Sequence, residues 1–503
     1  MSSHAEPVRV SNHPPGAVPS TFKVPPSEPA GVATATLTYE NGTIRIDVDD
    51  STVSESCSEA AVIPSTSGTD VDLETTVPDV AYDPRTKCYR IPAYRYETLR
   101  NAFDEHSVDY EDRVLNVPVV DATALRSTYD LRTYQQAALD DWVAADHRGV
   151  LELPTGSGKT VIAIAAIELL ATPTLVVVPT IDLLEQWRRE LETEFDVPVG
   201  QFGGGVQERG VLTVSTYDSA YLKAESIGHR FGFVVFDEVH HLGGEGYREI
   251  ARLLAAPARL GLTATFERPD GAQEAIEELV GPVVHRVTVD DLAGVHLADY
   301  DVKRLRVELT PEERETYERE QSIFTDYLRR SNIQLRSASD YQKIVMRSGT
   351  DPAAREALLA KNRAREIMMN SASKLEALEE VLCRHRDDRL IVFTAHNDLV
   401  YRIAERFLIP AITHRTGTAE RREILERFRD GTYSRIVSSN VLDEGVDVPD
   451  ANVAVLVSGS GSEREFTQRL GRILRPKADG GRALLYEVVS TETAEENVAA
   501  RRR

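Results

Sequence analysis

The sequence predicts an α/β fold with two mainly parallel sheets, a small α+β module before them and a helical insert between them. Short apolar runs alternate with polar loops and amphipathic segments in two stretches, about residues 125–290 and 375–490. Strands that alternate with helices form parallel sheets, whose ligands lie at the carboxyl ends of the strands. A charged, helical pattern separates the two stretches, and 503 residues exceed the size of a single core.

The chain is strongly acidic. Asp and Glu total 81 against 58 Lys and Arg, which gives a net charge of −23, and only nine of the basic residues are lysine. This surplus of carboxylates resembles proteins adapted to concentrated salt, where screening removes self-repulsion. The alternative is an ordinary acidic cytosolic protein from a GC-rich genome, because charge informs solubility rather than fold. Either interpretation is unusual for a nucleic-acid enzyme, which typically has a basic excess.

The sequence predicts neither a membrane span nor a disulfide framework. The most apolar stretch, Thr160 to Leu184, is interrupted by Glu168, Pro173 and Pro179, which fits a buried helix followed by a buried strand. Residues 1–30 lack the apolar core of a signal peptide. The cysteines are odd in number and too far apart for a CxxC metal site: Cys57, Cys88 and Cys383. We therefore expect a cytoplasmic protein.

The amino-terminal region predicts a tail followed by a small module. Residues 1–30 are rich in Pro and Ser, as in a disordered tail. From Thr34 to Val48 apolar and polar residues alternate around Asn41-Gly42, the strongest short-range signal for a β-hairpin. We therefore expect an α+β module over residues 31–120.

Two series of strands follow. The first contains VLEL, TLVVVP, VLTVS, FVVFD and LGLTAT, and the second contains LIVFT, RIVSS, VAVLVS and ALLYEV. Short apolar runs of this kind are typical of strands buried in a parallel sheet. The segment between the series, from Leu309 to about Leu375, has a helical pattern. We therefore expect sheet domains at residues 121–290 and 375–490, a linker with a helical insert at 291–374 and a tail at 491–503.

The loop LPTGSGKT, at residues 153–160, joins the first strand of the first series to an alanine-rich helix. Its small residues let backbone N–H groups converge on phosphate oxygens, although a glycine-rich turn without a ligand is the alternative. The loop matches the later part of the G-x-x-x-x-G-K-[ST] pattern, in which the lysine reaches the β and γ phosphates and the threonine binds Mg²⁺. Leu153 replaces the first Gly. The predicted ATP-binding residues are Pro154, Thr155, Gly156, Ser157, Gly158, Lys159 and Thr160.

FVVFDEVHH places two carboxylates directly after a buried strand. Asp237 and Glu238 should therefore lie at the edge of the sheet where the phosphate loop opens. We expect Asp237 to bind magnesium and Glu238 to orient and deprotonate an attacking water. A metal site of His240 and His241 is disfavoured because the HExxH spacing is absent. We expect His240 to face the second sheet and to couple the two sheets.

QRLGRILRP, residues 468–476, supplies cations from the second series. Arg472 and Arg475 are three residues apart and share a face of a predicted helix, so both can point into a cleft. Guanidinium groups suit the charge that develops in phosphoryl transfer, and arginines from a second domain make hydrolysis depend on closure. The alternative is a solvated arginine-rich helix.

Together these motifs resemble those of superfamily 2 helicases, over about residues 125–490. LPTGSGKT, DEVH, LTAT and QRLGRILR have the order and spacing of that superfamily. LRTYQ resembles its adenine-reading motif, which implies that Gln135 contacts the base, although Thr133 replaces the usual proline. The resemblance implies ATP and Mg²⁺ as cofactors. It also assigns nucleotide contacts or coupling roles to Gly445, Asp447, Thr263, Thr265 and Gln468.

Nucleic-acid contacts are expected near several of these motifs. VVPTIDLLEQW and VSTYDS are similar to motifs that grip the nucleic-acid backbone in such helicases, and SSNVLDEGVDVP is similar to a coupling motif. Binding that depends on counterion release alone would be negligible in molar salt. We therefore expect hydrogen bonds from hydroxyls and backbone amides, with bases or sugars packed by two aromatic rings. The expected contacts are Thr180, Trp187, Ser215, Thr216, Tyr217, Thr394, Ser438, Ser439 and Asn440.

Within the superfamily the sequence resembles the xeroderma pigmentosum group B (XPB) helicases in their archaeal form. The shared features are the LPTGSGKT variant, DEVH, the segment YDPRTKCYRIPAYRY and a helical insert before NSASKLEALEEVL. The resemblance implies a damage-recognition-like domain, two RecA-like domains and a thumb-like insert. After the third motif the family's Arg-Glu-Asp tripeptide is replaced by FERPDG, in which Arg268 and Asp270 are the candidate substitutes.

The predicted function is an ATP-dependent DNA helicase or translocase that acts on duplex or forked DNA in nucleotide excision repair and in transcription. The resemblance implies 3′-to-5′ movement. One alternative is an RNA helicase of the same superfamily, and another is an ATP-gated DNA-binding scaffold that recruits a nuclease. A scaffold would tolerate loss of the catalytic groups, whereas Lys159, Glu238 and both arginines are present. The expected partners are DNA and a nuclease or another repair or transcription protein, with no membrane.

Overall fold

The computed structural model of the chain describes residues 35–48, 62–63, 71–154, 156–266, 271–288, 291, 300–335, 338–439, 451–458 and 483–496. The chain divides into two compact units, residues 1–116 and residues 117–503. The first unit holds a mixed sheet, and the second holds two larger sheets. The predicted tail at residues 1–30 lies outside the described residues.

The amino-terminal unit combines a mixed sheet with short helices. Its helices are α1 (Leu73–Thr76) and α2 (Tyr96–Glu105), with a 3-10 helix at Ala93–Arg95. Its strands are β1 (Ala35–Glu40), β2 (Thr43–Val48), β3 (Val62–Ile63), β4 (Val71–Asp72), β5 (Ala81–Asp83), β6 (Cys88–Pro92) and β7 (Tyr110–Arg113). The five-stranded sheet has the order β5-β6-β2-β1-β7, and β3 pairs with β4 separately.

The predicted hairpin forms the centre of this sheet. β1 and β2 pair antiparallel, and Asn41 and Gly42 join them with φ of 49° and 82°. Two consecutive left-handed residues define the hairpin turn whose twist matches that of the strands. The alternation of apolar residues then buries Leu37, Ile44 and Ile46 on one face. The prediction of a hairpin at Asn41-Gly42 is confirmed.

The first sheet of the second unit is almost wholly parallel. Its strands are β8 (Arg148–Glu152), β9 (Thr174–Val178), β10 (Val199–Gly203), β11 (Val206–Glu208), β12 (Leu212–Thr216), β13 (Phe233–Asp237), β14 (Ala258–Thr263) and β15 (Val283–Arg286). Their order is β11-β10-β12-β9-β13-β14-β8-β15, and only β11 runs antiparallel to its neighbour. Every residue of β9, β12, β13 and β14 is buried, as expected when helices cover both faces.

Helices surround this sheet. They are α3 (Thr133–Ala144), α4 (Lys159–Leu170), α5 (Ile181–Glu194), α6 (Tyr217–Ile227), α7 (Glu245–Leu253) and α8 (Gln273–Leu279), with 3-10 helices at Ala122–Leu125 and Val239–Gly243. α4, α5 and α6 each follow the carboxyl end of a strand. This edge of the sheet therefore carries the loops expected to bind ligands.

The predicted helical insert is also present. It consists of α9 (Pro311–Ser331), α10 (Ala338–Arg347) and α11 (Pro352–Met369), and α12 (Ala372–Arg384) leads into the second sheet. α9 begins with a capping box, in which Thr310 and Glu313 bond to each other's backbone N–H groups. None of the helices in the described part of the chain is both long enough and apolar enough to span a bilayer.

The second sheet is parallel throughout its described strands. These are β16 (Tyr300–Val307), β17 (Leu390–Phe393), β18 (Ala411–Ile412), β19 (Arg435–Ser438), β20 (Val453–Leu456) and β21 (Ala483–Ser490), in the order β16-β21-β20-β17-β19-β18. Its helices include α13 (Asn397–Phe407) and α14 (Thr418–Arg429). The α/β class with two parallel sheets is confirmed.

Strand β16 lies in the segment that the sequence predicted to be a linker. It pairs parallel with β21 along its full length. Within the pair, Arg304 bonds Glu487 at 2.8 Å, and the Glu487 side chain is 2% exposed. The strand therefore depends on a neighbour 183 residues away in sequence, which no local pattern reveals.

Candidate nucleotide-binding site

The phosphate loop runs from the end of β8 to the start of α4. Gly156 and Gly158 have φ of 83° and 82°, in the left-handed region that glycine adopts without strain. A Cβ atom on Gly158 would lie 2.4 Å from the side-chain nitrogen of Gln135. The backbone conformation therefore favours glycine at this position, and any larger residue would also displace the Gln135 amide. Thr155 lies outside the described residues.

Two side chains in the first turn of α3 hold the loop. Tyr134 Oη donates to the Ser157 carbonyl oxygen at 2.5 Å, and Gln135 Nε2 donates to the same oxygen at 2.9 Å. Gln135 Oε1 accepts from the backbone N–H of Arg132 at 2.9 Å. Gln135 is 4% exposed, so its amide binds the loop rather than facing solvent. Contact with a base stays a prediction.

Lys159 and Thr160 begin α4. Lys159 Nζ donates to the carbonyl oxygens of Leu153 at 3.0 Å and Pro154 at 3.4 Å, so the ammonium is turned onto its own loop. Thr160 is half-buried in the first turn of α4. The Ser157 hydroxyl is fully buried and has no hydrogen-bond partner among the described residues. A buried hydroxyl of this kind suits a loop that binds a polar ligand.

Asp237 ends β13 and is held from two sides. Its Oδ2 accepts from Trp187 Nε1 at 2.8 Å, and its Oδ1 accepts from the Glu238 N–H at 3.0 Å. Burial raises the pKa of Asp237, and the Trp187 hydrogen bond and the Lys159 charge partly oppose this increase. The effect of Lys159 on this pKa reflects the proximity of the loop to the carboxylate.

Glu238 and His240 connect the ends of β13 and β14. Glu238 has φ of 48° and is 8% exposed. His240 Nδ1 lies 3.4 Å from Glu238 Oε2 and 3.2 Å from Thr263 Oγ1, and Thr263 Oγ1 donates to the Thr265 carbonyl at 2.8 Å. His240 is 1% exposed. The prediction that it faces the second sheet is corrected: its ring faces Thr263 within the first sheet.

The donor set fits a magnesium ion with nucleotide phosphates. Asp237 and Thr160 offer carboxylate and hydroxyl oxygens, the hard ligands that Mg²⁺ prefers alongside phosphates and water. A site formed by protein ligands alone is not indicated, since the described residues contain no cluster of three His, Cys, Asp or Glu with metal-binding geometry. The ion would therefore depend on the nucleotide for much of its coordination.

Trp187 and Tyr217 cannot pack bases in this structure. Each side chain is 1% exposed. Trp187 donates to the Asp237 carboxylate, and Tyr217 Oη donates to the Asp237 carbonyl oxygen at 3.1 Å. Both side chains therefore contact Asp237 from inside the protein. The prediction that they contact bases or sugars is wrong. Burial also raises the pKa of Tyr217, which keeps its hydroxyl a donor.

Most predicted hydroxyl contacts are used inside the protein. Thr180 and Thr216 cap the N-termini of α5 and α6. Ser215 and Ser438 are fully buried, and each donates to the carbonyl oxygen of the next residue. Thr394 shares a hydrogen bond with Ser458 at 2.7 Å, and Ser439 is 5% exposed. The prediction of direct nucleic-acid contacts is therefore corrected for the buried hydroxyls Ser215, Thr394 and Ser438, and it stays a prediction for Thr180, Thr216 and Ser439.

Several predicted residues lie outside the described residues. They are Thr155, Arg268, Asp270, Asn440, Gly445, Asp447, Gln468, Arg472 and Arg475. Their roles stay predictions.

The sequence did not predict the ion pairs that join a helix of the first sheet to a helix of the second. Asp182 Oδ2 accepts from Arg421 at 2.5 Å, and Glu185 pairs with Arg422. These pairs join α5 beside the first sheet to α14 beside the second. The charged pattern of α14 predicts a helix, but the identity of its ionic partners depends on folding.

Three protein-family models match parts of the chain. "Xeroderma pigmentosum group B helicase damage recognition domain" matches residues 37–114. "Type III restriction enzyme, res subunit" matches residues 128–268. "ERCC3/RAD25/XPB C-terminal helicase" matches residues 353–503.

Individual proteins are similar over most of the chain. The chain is 43% identical to the DNA 3′-5′ translocase XPB2 of Sulfurisphaera tokodaii, over 85% of this chain and 96% of that protein. It is 33% identical to a Rad25 protein of Halobacterium salinarum, over 74% of this chain and 56% of that protein. The helicase domain of Pyrococcus furiosus Hef has a TM-score of 0.48 and 19% identity, over 74% of this chain and 97% of that structure.

Proposed function

The chain belongs to the XPB family of DNA helicases and translocases, and from this we propose that it is an ATP-dependent enzyme that moves on DNA. The observation that carries the proposal is the arrangement of Asp237 and Glu238. Asp237 ends β13 and Glu238 follows it, and the charge of Lys159 in the phosphate loop opposes the rise in the Asp237 pKa that burial causes. A phosphate loop beside paired carboxylates supports phosphoryl transfer to water.

In the proposed mechanism, Glu238 takes the proton of the attacking water. Carboxylates serve as general bases when they lie within hydrogen-bond reach of the water. His240, between Glu238 and Thr263, orients this carboxylate toward the edge of the sheet. Lys159 leaves the carbonyls of Leu153 and Pro154 and turns to the β and γ phosphates. The carbonyl oxygens of the loop therefore hold the ammonium close to the position in which it would contact the phosphates.

Asp237 and Thr160 are the proposed magnesium ligands. A bound Mg²⁺ would neutralise charge that develops on the phosphates. Trp187 and the Glu238 N–H hold the two oxygens of Asp237, so the carboxylate is oriented before the ligand arrives. Gln135 is proposed to read the adenine after exchanging its bond to Ser157.

The second sheet is proposed to supply the remaining catalytic cations. Arg472 and Arg475 share a face of the helical motif QRLGRILR, and an arginine acting across a domain boundary makes hydrolysis depend on closure. Gln468, Gly445 and Asp447 would contact the nucleotide or transmit its state. Asn440 would contact DNA.

The proposed domain organisation follows the family. We assign residues 31–120 to a damage-recognition-like module, 121–290 and 375–490 to two RecA-like domains, and 291–374 to a linker with a thumb-like insert. The match of residues 37–114 to a damage recognition domain supports the first assignment. The helices α9, α10 and α11 support the thumb-like insert.

The proposed substrate is duplex or forked DNA, with 3′-to-5′ movement. The support is the name of the Sulfurisphaera tokodaii relative, a DNA 3′-5′ translocase. A role in nucleotide excision repair, together with a nuclease or a transcription protein, is consistent with this family. We also propose that the enzyme works in concentrated salt, because its 81 acidic residues exceed its 58 basic residues, only nine of which are lysine.

ATP hydrolysis should be measured without polymer and with single-stranded DNA, duplex DNA and RNA. We expect strong stimulation by DNA and little by RNA. Stimulation by RNA alone would favour an RNA helicase. Binding of DNA without measurable hydrolysis under any condition would favour an ATP-gated scaffold. Lys159→Ala is the matched control, since loss of its charge should abolish turnover in a site that works mainly by electrostatics.

A further inference from the structure

Helix α5 contacts two different parts of the molecule within its first two turns. Thr180 caps the helix and accepts from the Leu183 N–H at 3.3 Å. Asp182 and Glu185 form the ion pairs with α14. Trp187 donates to Asp237. The helix that begins at a predicted DNA-contacting motif therefore touches both the second sheet and the nucleotide site.

These contacts lie on opposite sides of the helix. Asp182 and Glu185 are three residues apart and share one face. Trp187 lies about 140° around the axis from Asp182, at about 100° per residue. The face of α5 that carries Trp187 also carries Leu184 and Leu191, and it is buried against the first sheet. α5 is thus positioned between α14 and the end of β13.

The Asp182–Arg421 pair is suited to link the two elements firmly. The two side chains are only 24% and 16% exposed, so salt screens this pair less than a surface pair. Arg421 also donates to the Thr416 carbonyl oxygen at 3.3 Å, which holds its guanidinium against the residues just before α14. The pair therefore connects α14 directly to the first turn of α5.

Trp187 contacts the Asp237 carboxylate directly. It donates the side-chain hydrogen bond to Oδ2, while the neighbouring backbone N–H satisfies Oδ1. A buried carboxylate oxygen that loses its donor incurs a desolvation penalty. A small shift of the indole would therefore change the position of the carboxylate.

We propose that Trp187 is a positioning residue that transmits the state of the contact between α5 and α14 to the Asp237 carboxylate. α5 moves as a rigid element, so loss of the Arg421 contact displaces the indole relative to β13. Closure of the second sheet on α5 then sets the carboxylate for the magnesium-bound nucleotide. The inference deepens the proposed function and rests on it only in taking Asp237 as a carboxylate of the nucleotide site.

The second tryptophan provides a matched control. Trp142 is fully buried in the same hydrophobic core, and its indole N–H donates to the Arg259 carbonyl oxygen at 3.0 Å. Trp142→Phe therefore removes an equivalent buried bond away from Asp237. It also leaves Trp187 as the sole tryptophan, because the chain contains two.

The first test measures the fluorescence of Trp187 and does not depend on ATP hydrolysis. In the Trp142→Phe background, Arg421→Ala should shift the fluorescence emission of Trp187 and change its response to Mg²⁺ with ADP. The control is Arg406→Ala, which removes an ion pair with Glu379 that does not bridge the sheets. Equal emission and equal nucleotide response in the Arg421 and Arg406 variants would overturn the proposal.

The second test separates positioning from packing. Trp187→Phe keeps an aromatic ring but removes the donor, and the Mg²⁺ concentration for half-maximal ATPase should rise about tenfold, as expected for one bond to a charged group. Trp142→Phe should leave it unchanged. The effects of Trp187→Phe and Arg421→Ala on DNA stimulation should be non-additive, since both break one connection. Additive effects, or an equal change in the Trp142 variant, would contradict the proposal.

Failure of this inference can be distinguished from failure of the proposed function. A wild-type protein whose ATPase no polymer stimulates would contradict the proposed function. The fluorescence comparison of Arg421→Ala with Arg406→Ala would still decide whether the contact reaches Trp187. A Trp187→Phe variant that fails to fold would leave the decision to that comparison, which retains Trp187.

Discussion

Gly158 illustrates how one residue determines the shape of the phosphate loop. Its φ of 82° is costly for any residue with a side chain, by roughly 1–3 kcal/mol. A Cβ would also lie 2.4 Å from Gln135 Nε2 and force that amide away from Ser157. The backbone conformation therefore favours glycine, and a larger residue would also disturb the bond that Gln135 makes to the loop.

We predict that Gly158→Ala reduces nucleotide affinity about tenfold or more, a loss of about 1.4 kcal/mol, because the added Cβ displaces Gln135 and the loop leaves the conformation in which its N–H groups converge on phosphate. The control is Gly205→Ala, where φ is 87° but nothing lies within 4 Å of the added Cβ. Titration with a fluorescent ADP analogue measures both. Equal affinity in the Gly158 variant and the wild type would show that Gln135 does not shape the loop.

The motif residues could be located from the sequence, but the orientation of nearby side chains could not. Asp237 ends the strand predicted for FVVFD and Glu238 follows it, and both could be located because a buried apolar run ending in carboxylates is a local signal. Trp187 and Tyr217 were predicted to face DNA, whereas both point to Asp237. Which face of a helix packs against the sheet depends on neighbours that are distant in sequence.

At the level of elements, local patterns predicted the strands with the strongest signals. The hairpin at Asn41-Gly42 and the fully buried strands β9 and β13 were predicted correctly because turn chemistry and apolar runs are local. Strand β16 was missed because Lys303, Arg304 and Arg306 interrupt its apolar pattern. The charge of Arg304 is accommodated in the sheet by its ion pair with Glu487, and this pair forms only when the chain folds.

Helix α12 is anchored by a buried ion pair. Lys374 Nζ donates to Glu495 Oε1 and to the Val457 carbonyl oxygen, each at 2.8 Å, and the two charged side chains are 0% and 2% exposed. Glu495 Oε2 also accepts from the Ser490 N–H at 2.9 Å. The pair therefore joins α12 to the ends of β20 and β21.

We predict that Lys374→Met destabilises the protein by roughly 3–5 kcal/mol, because Glu495 would remain buried without its partner. Adding Glu495→Gln should recover part of the loss. Urea unfolding of the full chain measures the effect. Lys343→Met is the control, since its pair with Asp340 is exposed and should contribute less than about 1 kcal/mol. An equal effect of the two lysine substitutions would contradict a buried anchoring role.

At the scale of the whole molecule, the acidic composition predicts tolerance of salt. A net charge of −23 makes the fold less self-repelled as salt increases. The structure changes the expected source of DNA affinity, since Ser215 and Ser438 already donate within the protein. Thr180 accepts a bond at its N-cap, so its hydroxyl hydrogen can still donate to a phosphate.

We predict that DNA-stimulated ATPase persists above about 1 M KCl, with a slope of log affinity against log salt much shallower than roughly −10. Thermal stability should increase over the same series. Measurements of DNA affinity and unfolding temperature from dilute buffer to molar KCl test this. Steep loss of DNA binding at low salt, in a protein fully stable in dilute buffer, would show that the acidic surface is incidental.

Acid should destabilise the second unit through three half-buried histidines. Burial lowers the pKa of His147, His229 and His396 below the ordinary value of about 6.5. The unfolded chain therefore binds more protons than the folded one, and stability rises with pH through this window. We predict a lower unfolding temperature as pH falls below about 6.5. The carboxyl of Asp83, whose pKa Arg85 lowers to about 2, titrates well below this range.

Thermal unfolding at several pH values between about 5 and 8 measures this effect. His147→Gln should flatten the dependence, because it removes one of the three groups. A stability that is constant from pH 8 to 5 would contradict the assignment of half-buried histidines whose pKa is lowered by folding.

The central claim is that hydrolysis at Glu238 drives movement on DNA, and a triplex-displacement assay tests it most directly. The wild type should displace a third strand from duplex DNA only when ATP and Mg²⁺ are present. Glu238→Gln should bind nucleotide and DNA but displace nothing, since the amide can hold a water but cannot take its proton. Displacement by the Glu238→Gln variant at the wild-type rate, or no ATP-dependent displacement by a wild-type protein that hydrolyses ATP, would contradict the account.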